Sequence, residues 1–446
     1  MATVHAGPLG DTTDAPRIVR EVLAQLFGPP EDRGFAVRLW DGSREPATSA
    51  GDLPFTLVLR HPGALRRMLL PPSELAMTEA YLRGDFDIEG DLPAATGLAD
   101  RIATALVHPA ALASLVRLRA LPRDTGAASA TSGRARFAAR WPVHSQQRDA
   151  VAVRHHYDLG NDFYALWLDW NMVYSCAYFP TGSESLEQAQ LAKLDLVCRK
   201  LRLAPGERLL DVGCGWGALI IHAARHYGVH ALGITLSPTQ AALARERIMA
   251  AGLTERCAVA VCDYRGLAPA ERFDKIASVG MIEHVGRPQL TGYFATLRRH
   301  LRPGGLLLNH GIVVHPGAAA PGRLARRLIG AGSFIQRHIF PDGELTTTAE
   351  VLAAAEPGGL EVRDVENLRE HYVRTLRMWL ARLEAATPEA IAMVGEPTFR
   401  AWRLYLAASA HRFGIGQIGV VQVLFSRPDA TGRSCLPLTR AYLYTS

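Results

Sequence analysis

Long apolar runs are missing from this 446-residue chain. No stretch reaches the ~20 uninterrupted apolar residues of a spanning helix, and Met1 to Gly10 lacks a basic segment followed by an apolar one. Neither a membrane span nor a secretory signal is therefore expected. Cysteine is sparse: the six, at 176, 198, 214, 257, 262 and 435, form no C-x-x-C pair and no dense spacing. That pattern argues against a structural zinc or a disulfide-stapled secreted fold, and leads us to expect reduced thiols in the cytoplasm. Lysine is scarcer still, with Lys193, Lys200 and Lys275 the only ones among 49 basic residues. Such an arginine bias reflects overall composition rather than nucleic-acid recognition, so no nucleic-acid partner is expected. What is present is 48% hydrophobic residues and a net charge of +6, ordinary for a globular chain that is too long for one compact core.

Charge placement divides the chain. Residues 1–118 carry 11 arginines against 15 carboxylates, net −4, whereas 119–154 carry 7 arginines against 2 aspartates, net +5. Within the second stretch, Asp124-Thr-Gly-Ala-Ala-Ser-Ala-Thr-Ser-Gly133 buries too little apolar surface to offset its ordering entropy. We read 1–118 as a small N-terminal α+β domain, 119–150 as a basic Ala/Ser/Gly-rich linker, and 151–446 as a second, larger domain. In the first, Ile18, Val19, Val22, Leu23, Leu26 and Phe27 recur at helical spacing, and Phe55-Thr-Leu-Val-Leu-Arg60 alternates like a strand. In the second, strand-like runs alternate with helical segments: Arg208 to Val212, His230 to Thr235, Ala258 to Cys262, Lys275 to Val279 and Leu306 to Asn309. With Leu360 to Val365 and Gly419 to Phe425 they make about seven strands of a doubly wound, mostly parallel α/β sheet.

The first of these strands runs into Leu209-Leu-Asp-Val-Gly-Cys-Gly-Trp-Gly217. Glycines let the backbone turn sharply and approach a ligand at the carboxyl edge of the sheet. A bare strand-to-helix turn would explain the glycines alone, but the spacing is neither the G-x-G-x-x-G of dinucleotide sites nor a P-loop. With Asp211 placed before the first glycine, it is the arrangement that S-adenosylmethionine enzymes use. The next strand ends in Thr235-Leu-Ser-Pro-Thr-Gln240 and the third in Cys262-Asp-Tyr264, so polar groups recur where an adenosine would lie. Asp263 suits the adenine amino group. An acidic ribose partner after the second strand is absent, and Thr235 with Gln240 stands in its place.

The chain resembles the cyclopropane-fatty-acyl-phospholipid synthase family of S-adenosylmethionine-dependent enzymes over essentially all of 150–446. The resemblance rests on His156-Tyr-Asp-Leu-Gly-Asn-Asp-Phe-Tyr164, Tyr174-Ser-Cys-Ala-Tyr-Phe179, Leu209 to Gly217, Gly233-Ile-Thr-Leu-Ser237, Glu283-His-Val-Gly286 and Tyr405-Leu-Ala-Ala-Ser-Ala-His411. Residues 1–118 resemble the family's lipid-associated N-terminal domain loosely, through Tyr81 to Gly90. The resemblance implies a class I methyltransferase (Rossmann-like) fold. It also implies a cofactor site of Tyr174, Ser175, Asp211, Gly213, Cys214, Gly215, Gly217, Thr235, Leu236, Gln240, Asp263 and Tyr264, although the family commonly has Trp-Glu where this chain has Asp263-Tyr264. A homodimer is implied as well.

An isolated alkene attacks a sulfonium methyl only when alignment supplies most of the help, and the resulting cation must lose a proton from the new methyl before a ring can close. In the family that base is thought to be bound bicarbonate. The matching positions are Cys176, Glu283, His310, Tyr372 and the backbone of Val279, with Glu283 taking the bicarbonate hydroxyl proton. Singly, Cys176 and Tyr372 read as core, Glu283-His284 as a helix start and His310 as a satisfied buried histidine; jointly they match the family's set. His284 and His411 read as structural. Residues 314–345 interleave apolar side chains with Arg323, Arg326, Arg327 and Arg337. They are expected to form an acyl-channel lid, the bland reading being an amphipathic helix on the core. Arg134, Arg136 and Arg140 with Phe137 and Trp141 have an interfacial look. The expected activity is methyl transfer to unsaturated membrane phospholipids by a cytoplasmic enzyme peripherally bound to the inner face of the membrane, forming cyclopropane rings and binding no metal. Alternatives are methylene or methyl branching of the same chains, methylation of a small soluble metabolite, and a non-catalytic lipid-binding protein with a vestigial cofactor fold.

Overall fold

A computed structural model describes residues 14–45, 53–123, 144–157, 159–315, 333–434 and 436–444, with isolated positions 142, 317 and 330. The chain divides into two compact units. One comprises Met1–Arg136, Ala319–Ile339 and Gly395–His411; the other comprises Phe137–Ala318, Phe340–Val394 and Arg412–Ser446. This division departs from the expected boundaries at three places. Gly395–His411 groups with the N-terminal unit although it lies far along the chain. The expected linker closes with a helix, Gln146–Tyr157, and its residues 124–141 lie outside the described residues. Residues 318–329 of the expected lid, with Arg323, Arg326 and Arg327, lie outside them too, and Ala319–Ile339 groups with the first unit.

The first unit is built on a four-stranded sheet, β1 (Ala36–Arg38), β2 (Arg44–Glu45), β3 (Phe55–Leu59) and β4 (Phe86–Gly90), in the order β2-β1-β3-β4. The helix Ala15–Phe27 buries Val19, Val22, Leu23, Leu26 and Phe27, and Gly28 ends it at φ +85°, a conformation that costs a residue with Cβ far more. Gly395–His411 joins this unit through charge and aromatic contacts. Arg400 lies 4.7 Å over the Tyr81 ring and 3.0 Å from Asp87, while Arg403 donates to the Tyr81 hydroxyl at 2.8 Å.

The second unit holds a seven-stranded sheet. Its strands are β5 (Arg208–Val212), β6 (His230–Thr235), β7 (Cys257–Val261), β8 (Phe273–Val279), β9 (Leu301–Val314), β10 (Glu361–Asn367) and β11 (Ile418–Ser426). All seven fall on the runs read from sequence. The order is β10-β11-β9-β8-β5-β6-β7, parallel except that β11 runs antiparallel to both neighbours. The five central strands are hydrophobic because helices cover both faces of a parallel sheet. On one face Leu209, Ala231 and Ala277 pack with the helices Leu186–Lys200 and Ala218–Tyr227; on the other Leu210, Ile276 and Leu307 pack with Leu290–His300. The helix Leu186–Lys200 starts on a capping box, with Ser185 Oγ accepting from Gln188 N and Gln188 Oε1 from Ser185 N. That box sets the register of the helix, and hence where Lys193 projects. The connection after β5 runs to β6 on one side and that after β8 runs to β9 on the other, which opens a crevice at the carboxyl ends of β5 and β8.

Candidate active site

The loops after β5, β6, β7 and β8 meet in one cleft of the second unit, about 1020 Å³ counted out to its open mouth. Its wall includes Asp211, Gly213, Cys214, Gly215, Thr235, Leu236, Gln240, Asp263 and Tyr264, and Tyr174 and Ser175 from the segment before the helix Leu186–Lys200. Those are eleven of the twelve positions assigned to the cofactor from sequence. Gly217 is not in the wall. It stands at φ +84° as the N-cap of the helix Ala218–Tyr227, and a Cβ there would meet Ala244 at 3.2 Å. Its role is to let two helices approach. Gly215, at φ +52°, has nothing within 4 Å of a would-be Cβ, so its open side belongs to the cleft.

Hydrogen bonds preset the polar wall. The Thr235 hydroxyl donates to Gln240 Oε1 at 2.8 Å, leaving the Gln240 amide N–H groups without an acceptor among the described residues. They are free to donate to a ribose oxygen. Asp263, expected to meet the adenine amino group, is bound up with Arg265: its Oδ1 accepts from Arg265 N and Nε at 2.8 Å and its Oδ2 from the guanidinium at 2.7 Å. Any adenine contact shares a carboxylate already committed elsewhere. The wall also contains residues that sequence reading did not assign, among them Tyr157, Lys193, Trp216, Met281 and His284. The only signal for Lys193 was the rarity of lysine. His284, read as structural, is held neutral in the wall because burial lowers its pKa to about 4.

Of the positions matched to the base site, Val279 alone lines the cleft. Glu283 follows on the same segment after β8. Its Oε1 accepts from Ile312 N at 2.7 Å, whereas Oε2 is buried without a hydrogen-bond partner. Burial raises the Glu283 carboxyl to about 7 against the pull of that backbone bond. His310 pairs in register with Val279 across β8 and β9. Its Nδ1 lies 3.1 Å from Gln422 Nε2, an amide donor, which places the imidazole proton on Nε2. Burial lowers its pKa to about 3, so it stays neutral. Cys176 is fully buried with its thiol pushed far up, its Sγ 3.7 Å from the Leu368 carbonyl. Tyr372 also bonds that carbonyl, through its backbone N–H. Leu368 N in turn donates to Val420, which pairs with Ile312 on β9. The structure thus ties Glu283, His310 and Val279 together through β8 and β9, and Cys176 and Tyr372 through Leu368. No group of described His, Cys, Asp and Glu residues could hold a metal ion.

Sheet order, glycine turn and polar strand ends define a class I S-adenosylmethionine-dependent methyltransferase. Residues 144–423 match the mycolic acid cyclopropane synthetase family, and the chain belongs to it. It is an S-adenosylmethionine-dependent methyltransferase of the cyclopropane synthase type. The chain is 41% identical over 428 residues to a "Probable fatty acid methyltransferase" of Pseudomonas putida, covering 95% of this chain and 100% of that one. It is 38% identical over 290 residues to the cyclopropane-fatty-acyl-phospholipid synthase of Escherichia coli (strain K12), covering 65% of this chain and 71% of the relative. The crystal structure of mycolic acid cyclopropane synthase CmaA1 complexed with SAH and CTAB superposes with a TM-score of 0.58 at 35% identity, over 62% of this chain and 97% of that one.

The raised Glu283 pKa has a thermodynamic signature. Because the folded value lies above the ordinary 4.5, the native state binds the extra proton, and the stability this confers at low pH is lost as pH rises from about 4.5 to about 7. Glu283→Gln should remove that slope. Relative to the parent it should gain on the order of 3 kcal/mol between pH 4.5 and pH 8, read from urea denaturation across the series. Parallel stability curves would show that Glu283 is not a desolvated carboxylate.

Proposed function

We propose that the protein transfers the methyl group of S-adenosylmethionine to the double bond of unsaturated acyl chains in membrane phospholipids, closing a cyclopropane ring with bound bicarbonate as base. The reading is carried by the unpartnered, buried Glu283 Oε2, one turn beyond cleft residues Val279 and Met281. A sealed acceptor of this kind costs about 1–3 kcal/mol unless a ligand donor meets it.

The cofactor supplies an electrophilic methyl. Toward it the chain offers the glycine turn, the Gln240 amide and the faces of Tyr157 and Tyr174 in the cleft wall, and aromatic faces attract a sulfonium as they do other cations. The residues of the base site fit a small oxyanion that carries one proton. Cys176, His310 Nε2 and Tyr372 are donors, whereas Glu283 and the Val279 carbonyl are acceptors. Bicarbonate, when bound, supplies a base for the proton lost from the new methyl. Glu283, poised near neutrality, can take a proton at Oε2, and neutral His310 keeps a donor in place without adding charge. Ring closure needs that proton to leave the methyl group. Branched products arise when a neighbouring carbon loses a proton instead, and a relative aligned over nearly the whole chain is named "Probable fatty acid methyltransferase", so the branched product is kept as the second reading.

A membrane-facing surface fits a lipid substrate. Among the described residues no single helix is long and apolar enough to cross a bilayer. In the first unit, however, Leu98–Ala105 leads into Pro109–Arg117, an uncharged run from Val107 to Val116 that exposes Val107 (53%), Leu112 (48%) and Val116 (55%). Arg119 and Arg123 follow, near Arg66, whose pKa burial lowers first and these two arginines lower further. Exposed apolar side chains beside basic ones suit an anionic lipid surface. We take this helix, together with Arg134, Arg136 and Arg140 in the sequence beyond it, as the peripheral contact.

Purified protein should transfer label from S-adenosylmethionine to vesicles of monounsaturated phospholipid and not to saturated ones, because only the alkene offers π electrons; mass spectrometry of the product chains distinguishes ring from branch. Equal labelling of both vesicle types, or labelling of soluble amines alone, would overturn the assignment. Glu283→Gln should lower turnover by roughly 2 to 4 powers of ten while calorimetric affinity for S-adenosylhomocysteine stays unchanged. Replacing Val107, Leu112 and Val116 together with Ser should weaken sedimentation with anionic vesicles at least tenfold and leave turnover on detergent-dispersed substrate intact. Unchanged sedimentation would remove this helix from the membrane contact.

A further inference from the structure

Cys176 lies on a stretch, Val173 to Phe179, that is neither helix nor strand and yet is buried at Val173, Ser175, Cys176, Ala177 and Phe179. Buried backbone needs hydrogen-bond partners wherever it runs, and here two helices supply them largely through side chains. From Leu186–Lys200 come donors: Gln190 Nε2 donates to the carbonyls of Val173 and Ser175 at 3.3 and 2.9 Å, and Lys193 Nζ donates to Ser175 Oγ at 2.9 Å. From Arg369–Ala385 come acceptors. Thr375 Oγ1 takes the Ala177 N–H at 3.1 Å, and His371 Nδ1 takes the Phe179 N–H at 3.0 Å. The donors hold the part of the stretch that lines the cleft; the acceptors hold the part beyond Cys176.

The acceptors belong to one face of one helix. Leu368 at its N-cap, His371, Tyr372 and Thr375 recur at i, i+3, i+4 and i+7, so the residues that hold the stretch flank Tyr372 of the base site. The Leu368 carbonyl adds a third hold, 3.7 Å from Cys176 Sγ. The Thr375 hydroxyl spends its own proton on the His371 carbonyl at 2.8 Å, which fixes its rotamer and leaves it only lone pairs to offer. The His371 ring stacks on Tyr178 with centroids 4.9 Å apart. Burial lowers its pKa, Arg374 adding to the effect and Glu366, Glu370 and Glu184 opposing it; a neutral ring keeps Nδ1 open as an acceptor. Burial also raises the Cys176 thiol, and Lys193 and the Thr375 hydroxyl draw it part of the way back.

We propose that Thr375 and His371 are positioning residues for the base site: by accepting from Ala177 N and Phe179 N they hold the Cys176 thiol in register with Tyr372 on the same helix. The inference rests on the reading of Cys176 and Tyr372 as donors of that site. Neither Thr375 nor His371 lines the cleft, so both act through Cys176. Without them two N–H groups lose their acceptors and the stretch must shift to find others. A displacement of about 1 Å is enough to slow a reaction that depends on alignment about 100-fold. The cofactor end of the stretch stays in place, because Gln190 and Lys193 hold it from the other helix.

Paired variants separate the acceptor from the packing. Thr375→Val and His371→Leu keep the bulk and delete the acceptor, whereas Thr375→Ser and His371→Asn retain an oxygen that can accept. On vesicles of monounsaturated phospholipid with saturating S-adenosylmethionine, the first two should each lower kcat roughly 10- to 100-fold, and the conservative two should stay within about fivefold of the parent. Calorimetric affinity for S-adenosylhomocysteine should remain within about threefold throughout. In a Cys176→Ala background Thr375→Val should cost no more than about twofold, because no thiol is left to position. The infrared S–H stretch of Cys176, isolated as the difference between parent and Cys176→Ala, should shift in Thr375→Val and not in Thr375→Ser, which reads the anchor without any substrate. The His371 pair carries the test should Thr375→Val show no cooperative melting transition. Equal losses in conservative and non-conservative variants, a matching fall in S-adenosylhomocysteine affinity, a full-sized loss in the Cys176→Ala background or an unshifted S–H stretch would overturn the proposal. Cys176→Ala that turns over like the parent would instead overturn the base-site reading beneath it.

Discussion

The position of β5 between β6 and β8 is the constraint on which the rest of the second unit depends. The connection after β5 runs to β6 on one side and the connection after β8 runs to β9 on the other, so neither covers the crevice at the carboxyl ends of β5 and β8. The cleft is therefore left open by topology, and the residues that reach it are whichever ones end the central strands. Asp211, Thr235, Cys262 and Val279 share the site because the parallel registers align these strand ends. The glycine turn matters only because it stands at that end.

Desolvation then sets the chemistry. The same low-dielectric surroundings raise Glu283 and Asp211 toward neutrality and lower Lys193, and they keep His310 and His284 uncharged and the Cys176 thiol protonated. For the proposed chemistry, an apolar alkene and a cationic intermediate, such a site gains from having few fixed charges, because each would need a partner or water. Glu283 is the clearest case, with one oxygen held by the backbone of β9 and the other left free. Hydrogen bonding fixes where that carboxylate points, and burial fixes what it can do.

The two units differ in how distant segments join them. The sheet of the second unit is covered by helices on both faces, whereas in the first unit charged and aromatic side chains of Gly395–His411 contact Tyr81 and Asp87. That segment also buries Phe399, Trp402, Tyr405, Leu406 and Ala407, an apolar pattern that announces a packed helix without naming the unit it packs in. Its membership was consequently invisible to composition and charge, which placed it with the second unit.

By itself the sequence determined the elements and the kind of site. Seven strand runs, the Asp211 to Gly217 turn and the polar strand ends are local patterns, and local patterns are what periodicity and turn chemistry encode. Nine of the twelve cofactor positions lie in one cleft because strand ends in a parallel sheet converge by rule, and Tyr174 and Ser175 join them from the segment before the helix Leu186–Lys200. Gly217 stands outside that wall: a glycine that lets two helices approach looks identical in sequence to one that lines a ligand, and its nearness to Ala244 comes only with the fold. Lys193 could not have been assigned without the fold, since nothing in a run of helix residues tells which side chain meets Ser175 eighteen positions earlier. The grouping of 395–411 and the exposure of Val107, Leu112 and Val116 were likewise decided in three dimensions. Burial, pairing and the absence of a partner are properties of what surrounds a side chain, and the surroundings come from distant parts of the chain.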